Sequence, residues 1–303
     1  MKDHQLAVMA RKDFDDAIRS KVLWILTAAF VLFMGTLIYI VTRGANIPAG
    51  LTAGEWRILV SRVLSSLVPW ISHIVAILAL IGGYTSIVDE RRSGSIKLLL
   101  GQPFERAEIL VGKMVGRSGV IAVSSLAGFA AIAAGIVLFL GVPPIVDLSW
   151  RLIGLFVLTA MLGGVYTVIA VSVSGLSSTR NRALMSIVSI FFVCQLAWTG
   201  VTSFVYSFFG SVSGNAPDLY LFLTYLTPGA AYTRLTALVT FSPPVPPAPH
   251  PSLMQDGVTG RALQAQQSGS FLLSEYTAFL ILLAWVVLAG ALAYSVFRDA
   301  DLG

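Results

Sequence analysis

Few residues of this 303-residue chain have the type and spacing that a catalytic or metal site requires. His4, His73 and His250 are too far apart for the His-Glu-x-x-His pattern of zinc proteases, and the Gly-x-Ser-x-Gly turn of serine hydrolases is absent. Gly112 and Lys113 form the only Gly-Lys pair, but no Ser or Thr follows it, as a phosphate-binding loop would need. We therefore predict no catalytic residue, no metal site and no cofactor site in this chain.

Polar residues inside the apolar runs are the next candidates. His73 is the one clearly ionisable side chain that we find within a predicted span, where a charge is costly and often functional. The structural alternative is a neutral histidine held by one hydrogen bond, because a proton relay needs several titrating groups. The fifth run adds polar residues that would line a path or hold helices together. Our candidate translocation-path residues are His73, Gln195, Trp198, Thr199 and Thr202.

The composition decides the fold class. Hydrophobic residues make up 56% of the chain and charged residues 12%, about half the charged fraction of a soluble domain. Six apolar runs are long enough to cross a bilayer, which takes about 20 residues per helix. They lie near 22–42, 64–88, 118–141, 152–175, 184–206 and 272–296. We predict an all-α integral membrane protein with six transmembrane helices in a single domain, 1–303.

The distribution of Lys and Arg predicts the orientation in the cell membrane. Connections on the side of both termini carry 14 of these residues and those on the other side carry six, so both termini are expected in the cytoplasm. This orientation signal explains the isoelectric point near 9.5 without a nucleic-acid partner. A single cysteine, Cys194, excludes an intrachain disulfide.

Two segments outside the spans have distinct patterns. Residues 1–21 contain apolar positions at steps of three and four, which predicts an amphipathic helix in the cytoplasmic interface. The connection 207–271 begins with an apolar part, which predicts short helices in the outer interface, broken at Pro228 and Gly229. Its second part is rich in proline and predicts an extended linker, with binding of a partner as the alternative.

The stretch ERRSGSIKLLLGQPFER, residues 90–106, separates the second and third spans. Six charges would cost on the order of 15 kcal/mol at the bilayer centre, so the stretch must lie outside the hydrocarbon. Gly94 is placed to end the second span and Pro103 to end a helix of about two turns between them. Ile96 and Leu99 fall on one apolar stripe of that helix, between charged ends.

This stretch resembles the cytoplasmic loop of ABC transporter permeases of the second exporter type, including those that accompany nitrous oxide reductase maturation and sodium or multidrug export. The residues that carry the resemblance are Glu90, Arg91, Gly94, Ser95, Ile96, Leu98, Leu99, Leu100, Pro103, Arg106, Gly112 and Lys113. The N-terminal ARKDFDDAIRSK, the loop SSTRNRALM (177–185) and the tail VFRDADL are similar to further parts of the same family. The proline-rich outer segment is longer than the family pattern.

The resemblance implies that the loop contains a coupling helix, which docks into a groove of a separate ABC ATPase subunit that holds ATP and Mg²⁺. It also implies a second permease chain, as a homodimer or heterodimer, across the translocation path. The expected ATPase-coupling residues are Glu90, Arg91, Arg92, Gly94, Ser95, Ile96, Leu98, Leu99, Pro103 and Arg106. Without the resemblance, the composition of this stretch is explained by a solvated loop that follows the excess of Lys and Arg on the cytoplasmic side. The alternative functions are a self-sufficient secondary transporter or channel and an intramembrane enzyme.

Overall fold

A computed structural model describes residues 2–43, 51–94, 106–208, 218–240 and 270–299, without the side chains of 2–6, 106 and 296–299. These residues are mainly helical, with no strand among them. Six helical stretches of the described chain are long and apolar enough to cross a membrane. The predicted all-α fold with six transmembrane helices is therefore confirmed.

The helices follow one another with short connections where the chain is described. In chain order they are α1 (Lys2–Ile18), α2 (Lys21–Thr42), α3 (Ala53–Gly83), α4 (Val88–Ser93), α5 (Arg106–Leu140), α6 (Ile145–Leu176), α7 (Arg180–Phe191), α8 (Trp198–Ser207), α9 (Asp218–Thr224), α10 (Pro228–Thr240) and α11 (Glu275–Asp299). A π-helical segment, Phe192–Ala197, joins α7 to α8, and a 3₁₀ turn, Phe271–Leu273, precedes α11. We call the side that carries α1, the α3 to α4 turn and the starts of α5 and α7 the terminal face. The distal face is the opposite side, with the connection 141–144.

The second span differs most from its predicted bounds. The helix α3 begins at Ala53, where Thr52 and Glu55 form a reciprocal capping box, and it ends at Gly83. A turn follows, and α4 runs for six residues before Gly94 ends it with a φ of +74°, a left-handed conformation that glycine adopts without a Cβ penalty. Gly94 thus ends a short additional helix, and the predicted coupling helix lies outside the described residues.

The helix α6 lies at the centre of the bundle. It packs against α3, α5, α10 and α11, and Leu155, Leu162, Tyr166 and Ala170 have no exposed surface. Such close packing matters in lipid, because moving an apolar side chain from lipid to protein gives little hydrophobic gain. Contacts between well-fitted surfaces must therefore hold the spans together.

The N-terminal helix α1 packs along the first turns of α5. Met9 is buried, and a Cβ built on Gly112 would lie 2.6 Å from its Cγ. A Cβ on Gly116 would collide with the backbone carbonyl oxygen of Ala10. The apolar stripe of α1 therefore covers a protein surface, while the interfacial position of this helix stays a prediction.

The substitution Gly116→Ala should push α1 away from α5. Alanine favours a helix by about 1 kcal/mol over glycine, but a clash with backbone costs about 1 to 3 kcal/mol because Ala10 cannot move alone. We expect a net loss of thermal stability, measured by the melting temperature of the purified protein in detergent. Gly290→Ala is the control, since a Cβ there meets no atom within 4 Å. Equal melting temperatures of the two variants would contradict the close approach of α1.

The outer segment contributes a buried helix to the bundle. The helix α10 contacts α3, α6 and α11, and Ala231 and Tyr232 have no exposed surface. Pro228 begins α10, a position in which the missing N–H of proline costs nothing, whereas the sequence suggested that it would stop a helix. The proline-rich part, 241–269, lies outside the described residues.

The fifth span, Arg180–Ser207, is the least covered of the six. Only 6% of its most apolar window is buried by the rest of the described chain, against 28% or more for every other span. Its π-helical segment contains Gln195 and presents Phe192, Val193 and Leu196 on the exposed surface. Most of this span is therefore left uncovered by the described part of the chain.

Candidate functional site

A buried cluster of charges joins four helices on the terminal face. Lys113 is 3% exposed, and its Nζ lies 2.6 Å from Oε1 of Glu90 and 3.4 Å from Oδ1 of Asp13. Nε of Arg117 donates to Oδ2 of Asp13 at 3.1 Å, and its Nη1 donates to the carbonyl oxygen of Gly82. Because two cations face two carboxylates, the cluster compensates the charges that it buries. It ties α1, the end of α3, α4 and α5 together.

The turn before α4 is held by α6. The backbone N–H groups of Ile87 and Val88 both donate to Oγ of the buried Ser174 at 3.0 Å. Together with the ion pair of Glu90, this contact anchors the chain that leads into the predicted coupling helix. The loop therefore starts from a segment held by α5 and α6.

The ten predicted coupling residues fall into different environments. Glu90 faces Lys113, with 27% of its side chain exposed, so it contributes to the bundle, and its place at the rim of an ATPase contact stays a prediction. Arg91 is partly buried, with Nε and Nη2 lacking a hydrogen-bond partner in the described part of the chain. Arg92 is exposed, and Gly94 ends α4. Arg106 begins α5, but its side chain is not described. The remaining five residues, Ser95, Ile96, Leu98, Leu99 and Pro103, lie outside the described residues.

Gln195 is the predicted path residue with the most contacts between helices. Its Nε2 lies 3.3 Å from both the carbonyl oxygen and Oγ of Ser72, and 3.1 Å from the hydroxyl of Tyr166. The backbone of Gly229 lies against the same amide, where a Cβ would approach to 2.6 Å. This group joins the π-helical segment to α3, α6 and α10. Its geometry favours the packing role over the path role.

The other predicted path residues make local or packing contacts. Nδ1 of His73 lies 2.5 Å from the carbonyl oxygen of Pro69, one turn earlier in α3. Trp198 donates to the carbonyl oxygen of Leu223 at 2.8 Å, and Thr202 bonds carbonyl oxygens of its own helix. Thr199 is partly buried. These contacts do not test a path, so the role of these residues in translocation stays a prediction.

Two arginines are buried near the distal face, although the Lys and Arg count placed both in connections. Arg151 is fully buried in α6, and it binds Oδ2 of Asp147 at 3.0 Å, Oγ of Ser61 at 2.9 Å and the carbonyl oxygen of Val239 at 3.2 Å. Arg234 in α10 lies 3.5 Å from Glu275 at the start of α11. Both arginines therefore join the outer segment to the spans.

Sequence reasoning missed the partners in these clusters. The sequence does contain a sign that Asp13 is buried: it lies four residues after Met9 and four before Ala17, which places it on the apolar face of α1. Asp147 and Arg151 have the i, i+4 spacing of a helical ion pair. The described part of the chain has no group of three His, Cys, Asp or Glu side chains that could hold a metal ion.

Comparison with known proteins gives the family. The family model described as ABC-2 family transporter protein matches residues 7–302. A protein of Stutzerimonas stutzeri, named probable ABC transporter permease protein NosY, is 27% identical over 97% of this chain and 98% of its own length. A protein of the same name from Pseudomonas aeruginosa is 26% identical over 96% of each chain. The chain accordingly belongs to the ABC-2 family of transporter proteins, whose members are transport permeases of the membrane.

Proposed function

We propose that this chain is the membrane subunit of an ATP-driven exporter, in which a separate cytoplasmic ATPase subunit hydrolyses ATP with Mg²⁺. The family and the relatives named as ABC transporter permeases support the transport role. The orientation with both termini in the cytoplasm rests on the Lys and Arg count. In this orientation the terminal face is the cytoplasmic face, where the ATPase would dock.

One observation carries the coupling part of the proposal. The segment immediately before the predicted coupling helix is bonded through Glu90 to the buried Lys113 of α5, and Lys113 also binds Asp13 of α1. A displacement of the loop by the ATPase would therefore move α1 and α5 with it. Packed helices shift as rigid bodies and respond in this way to a force applied at one end.

The second permease chain would cover the fifth span. This span has the least buried surface of the six, and its exposed residues are mostly apolar, including Val188, Phe192 and Leu196. If two chains meet through this span, the π-helical segment between α7 and α8 lies next to the space between the two chains. The molar mass of the purified protein in detergent, measured by light scattering, distinguishes a pair from a lipid-covered single chain.

The test of coupling is Leu99→Arg. In the proposed complex this substitution inserts a charge into an apolar docking pocket, so we expect at least a tenfold loss of ATPase recovered with the permease. The measurement is the amount of ATPase that copurifies with tagged permease from membranes. Leu99→Met is the matched control and should keep the contact, because it conserves apolar volume. Normal copurification by Leu99→Arg would exclude docking at this stripe.

The alternative is a self-sufficient secondary transporter or channel. Transport by the purified chain alone in vesicles, driven by an ion gradient and without ATPase, would favour it. A neighbouring reading frame that encodes an ATPase with a phosphate-binding loop would favour the exporter. Compounds that stimulate ATP hydrolysis by the reconstituted complex would then identify the substrate.

A further inference from the structure

A cavity of about 260 Å³ opens on the terminal face, where the junction of α1 and α2 meets the end of α3 and the start of α7. The spans supply an apolar part of its lining, which includes Leu23, Leu26, Val120 and Ile121. These residues continue into the hydrocarbon-facing helices. The cavity therefore lies at the level where the membrane changes from polar to apolar.

Charged side chains of α1, α5 and α7 supply a polar part of the lining. Arg180 is exposed, and both Nε and Nη2 lie 3.4 Å from the hydroxyl of Tyr84, with the guanidinium 5.9 Å from the centre of that ring. Arg117 also lines the cavity; it uses Nε and Nη1 in the buried cluster, which leaves Nη2 available. Arginine donors of this kind bind phosphate oxygens.

A carboxylate on the same wall limits the choice of ligand. Asp16 lines the cavity and is exposed, so a ligand with negative charge alone would be repelled there. The charge of Arg117 is already shared with Asp13, which leaves Arg180 and Asp16 as one positive and one negative group facing the cavity. This arrangement matches a zwitterion with a phosphate and an N–H donor.

We propose that this cavity binds the headgroup of an aminophospholipid of the phosphatidylethanolamine type. Its phosphate would lie between Arg180 and Arg117, its ammonium group would donate to Asp16, and its acyl chains would follow the apolar wall along α2 and α5. The volume of the cavity suits a headgroup, while the chains remain in the surrounding bilayer. Basic pockets between transmembrane helices on the cytoplasmic side bind lipid headgroups in this way.

The experiment compares lipids with matched acyl chains on the full-length protein in detergent, with apparent Kd values from native mass spectrometry. Phosphatidylethanolamine should bind about tenfold more tightly than phosphatidylcholine, whose quaternary ammonium has no N–H to donate to Asp16. Arg180→Ala should weaken both lipids about tenfold. Asp16→Asn should weaken phosphatidylethanolamine more than phosphatidylcholine, because only the former loses a charge-assisted hydrogen bond, and so it should reduce the preference.

Arg182→Ala is the matched control, because Arg182 is an exposed arginine in the same helix that bonds Ser178 and does not line this cavity. It should leave the affinity for both lipids unchanged. Equal affinity for the two lipids in the wild-type protein, or an unchanged Kd in Arg180→Ala, would overturn the proposal. Competition by free phosphoethanolamine as strong as that of the lipid would assign the cavity to a soluble ligand and would overturn it too. Unchanged melting temperatures of Asp16→Asn and Arg180→Ala establish that both variants fold.

Discussion

Replacement of Lys113 by Met is expected to lower the free energy of unfolding by about 3 kcal/mol, because the carboxylates of Glu90 and Asp13 would both lose the buried Lys113 ammonium group. In a large domain, each kcal/mol lost from the free energy of unfolding lowers the melting temperature by roughly 2 to 4 °C. The expected decrease in melting temperature is therefore about 6 to 12 °C. The measurement is thermal unfolding of the purified protein in detergent. Limited proteolysis of α1 should accelerate in parallel.

The control for this result is Lys12→Met, since Lys12 is an exposed lysine of α1. Its melting temperature should stay near that of the wild-type protein. The double variant Glu90→Gln with Lys113→Met should recover part of the loss, because the carboxylate that faces the Lys113 ammonium group is then removed together with it. If Lys113→Met unfolds at the same temperature as Lys12→Met, the buried cluster does not hold the terminal face together.

Replacement of Arg151 by Met, on the distal face, should lower the free energy of unfolding by at least as much as replacement of Lys113. Arg151 is fully buried, and its polar contacts include Asp147, Ser61 and the carbonyl oxygen of Val239. Its removal takes the buried cation from these groups and leaves Asp147 with the largely exposed Arg57, at a cost of about 3 to 5 kcal/mol. We expect a lower melting temperature and faster hydrogen exchange at the end of α10, read by mass spectrometry.

Arg57→Met separates this effect from a general loss of positive charge. Arg57 approaches the same carboxylate, Asp147, at 3.8 Å, but 62% of its side chain is exposed. An exposed ion pair contributes about 0 to 1 kcal/mol, so this variant should melt close to the wild-type protein. Similar melting temperatures for Arg151→Met and Arg57→Met would show that burial of Arg151 is not important for stability.

The sequence predicts the spans well because a bilayer imposes a length on apolar helices. It predicts their ends less well where the helix continues beyond the hydrocarbon. Arg151 shows the reason: the predicted apolar run begins after it, yet its charge is compensated by Asp147 and it lies inside the bundle. Hydropathy treats each charge as unpaired and therefore moves the start of the span past both residues.

The candidate site was predicted in part. Glu90 and Lys113 are both among the residues that carry the resemblance to the exporter family, but the sequence does not predict their pairing across 23 residues. Asp13 lies 100 residues from Lys113, and a contact at this separation depends on how α1 packs against α5. The weak coverage of the fifth span was equally beyond prediction, because its composition resembles that of the buried spans.

The π-helical segment Phe192–Ala197 acts as a one-residue insertion in the fifth span. A π-helical turn holds about one residue more than an α-helical turn, so it absorbs an inserted residue while the helix on either side keeps its direction and facing. Trp198, directly after the segment, therefore still reaches the carbonyl oxygen of Leu223. Deletion of one residue here would restore regular α-helical winding and leave α8 facing the same neighbours, so alignments of the family should place single-residue gaps at this point of the span.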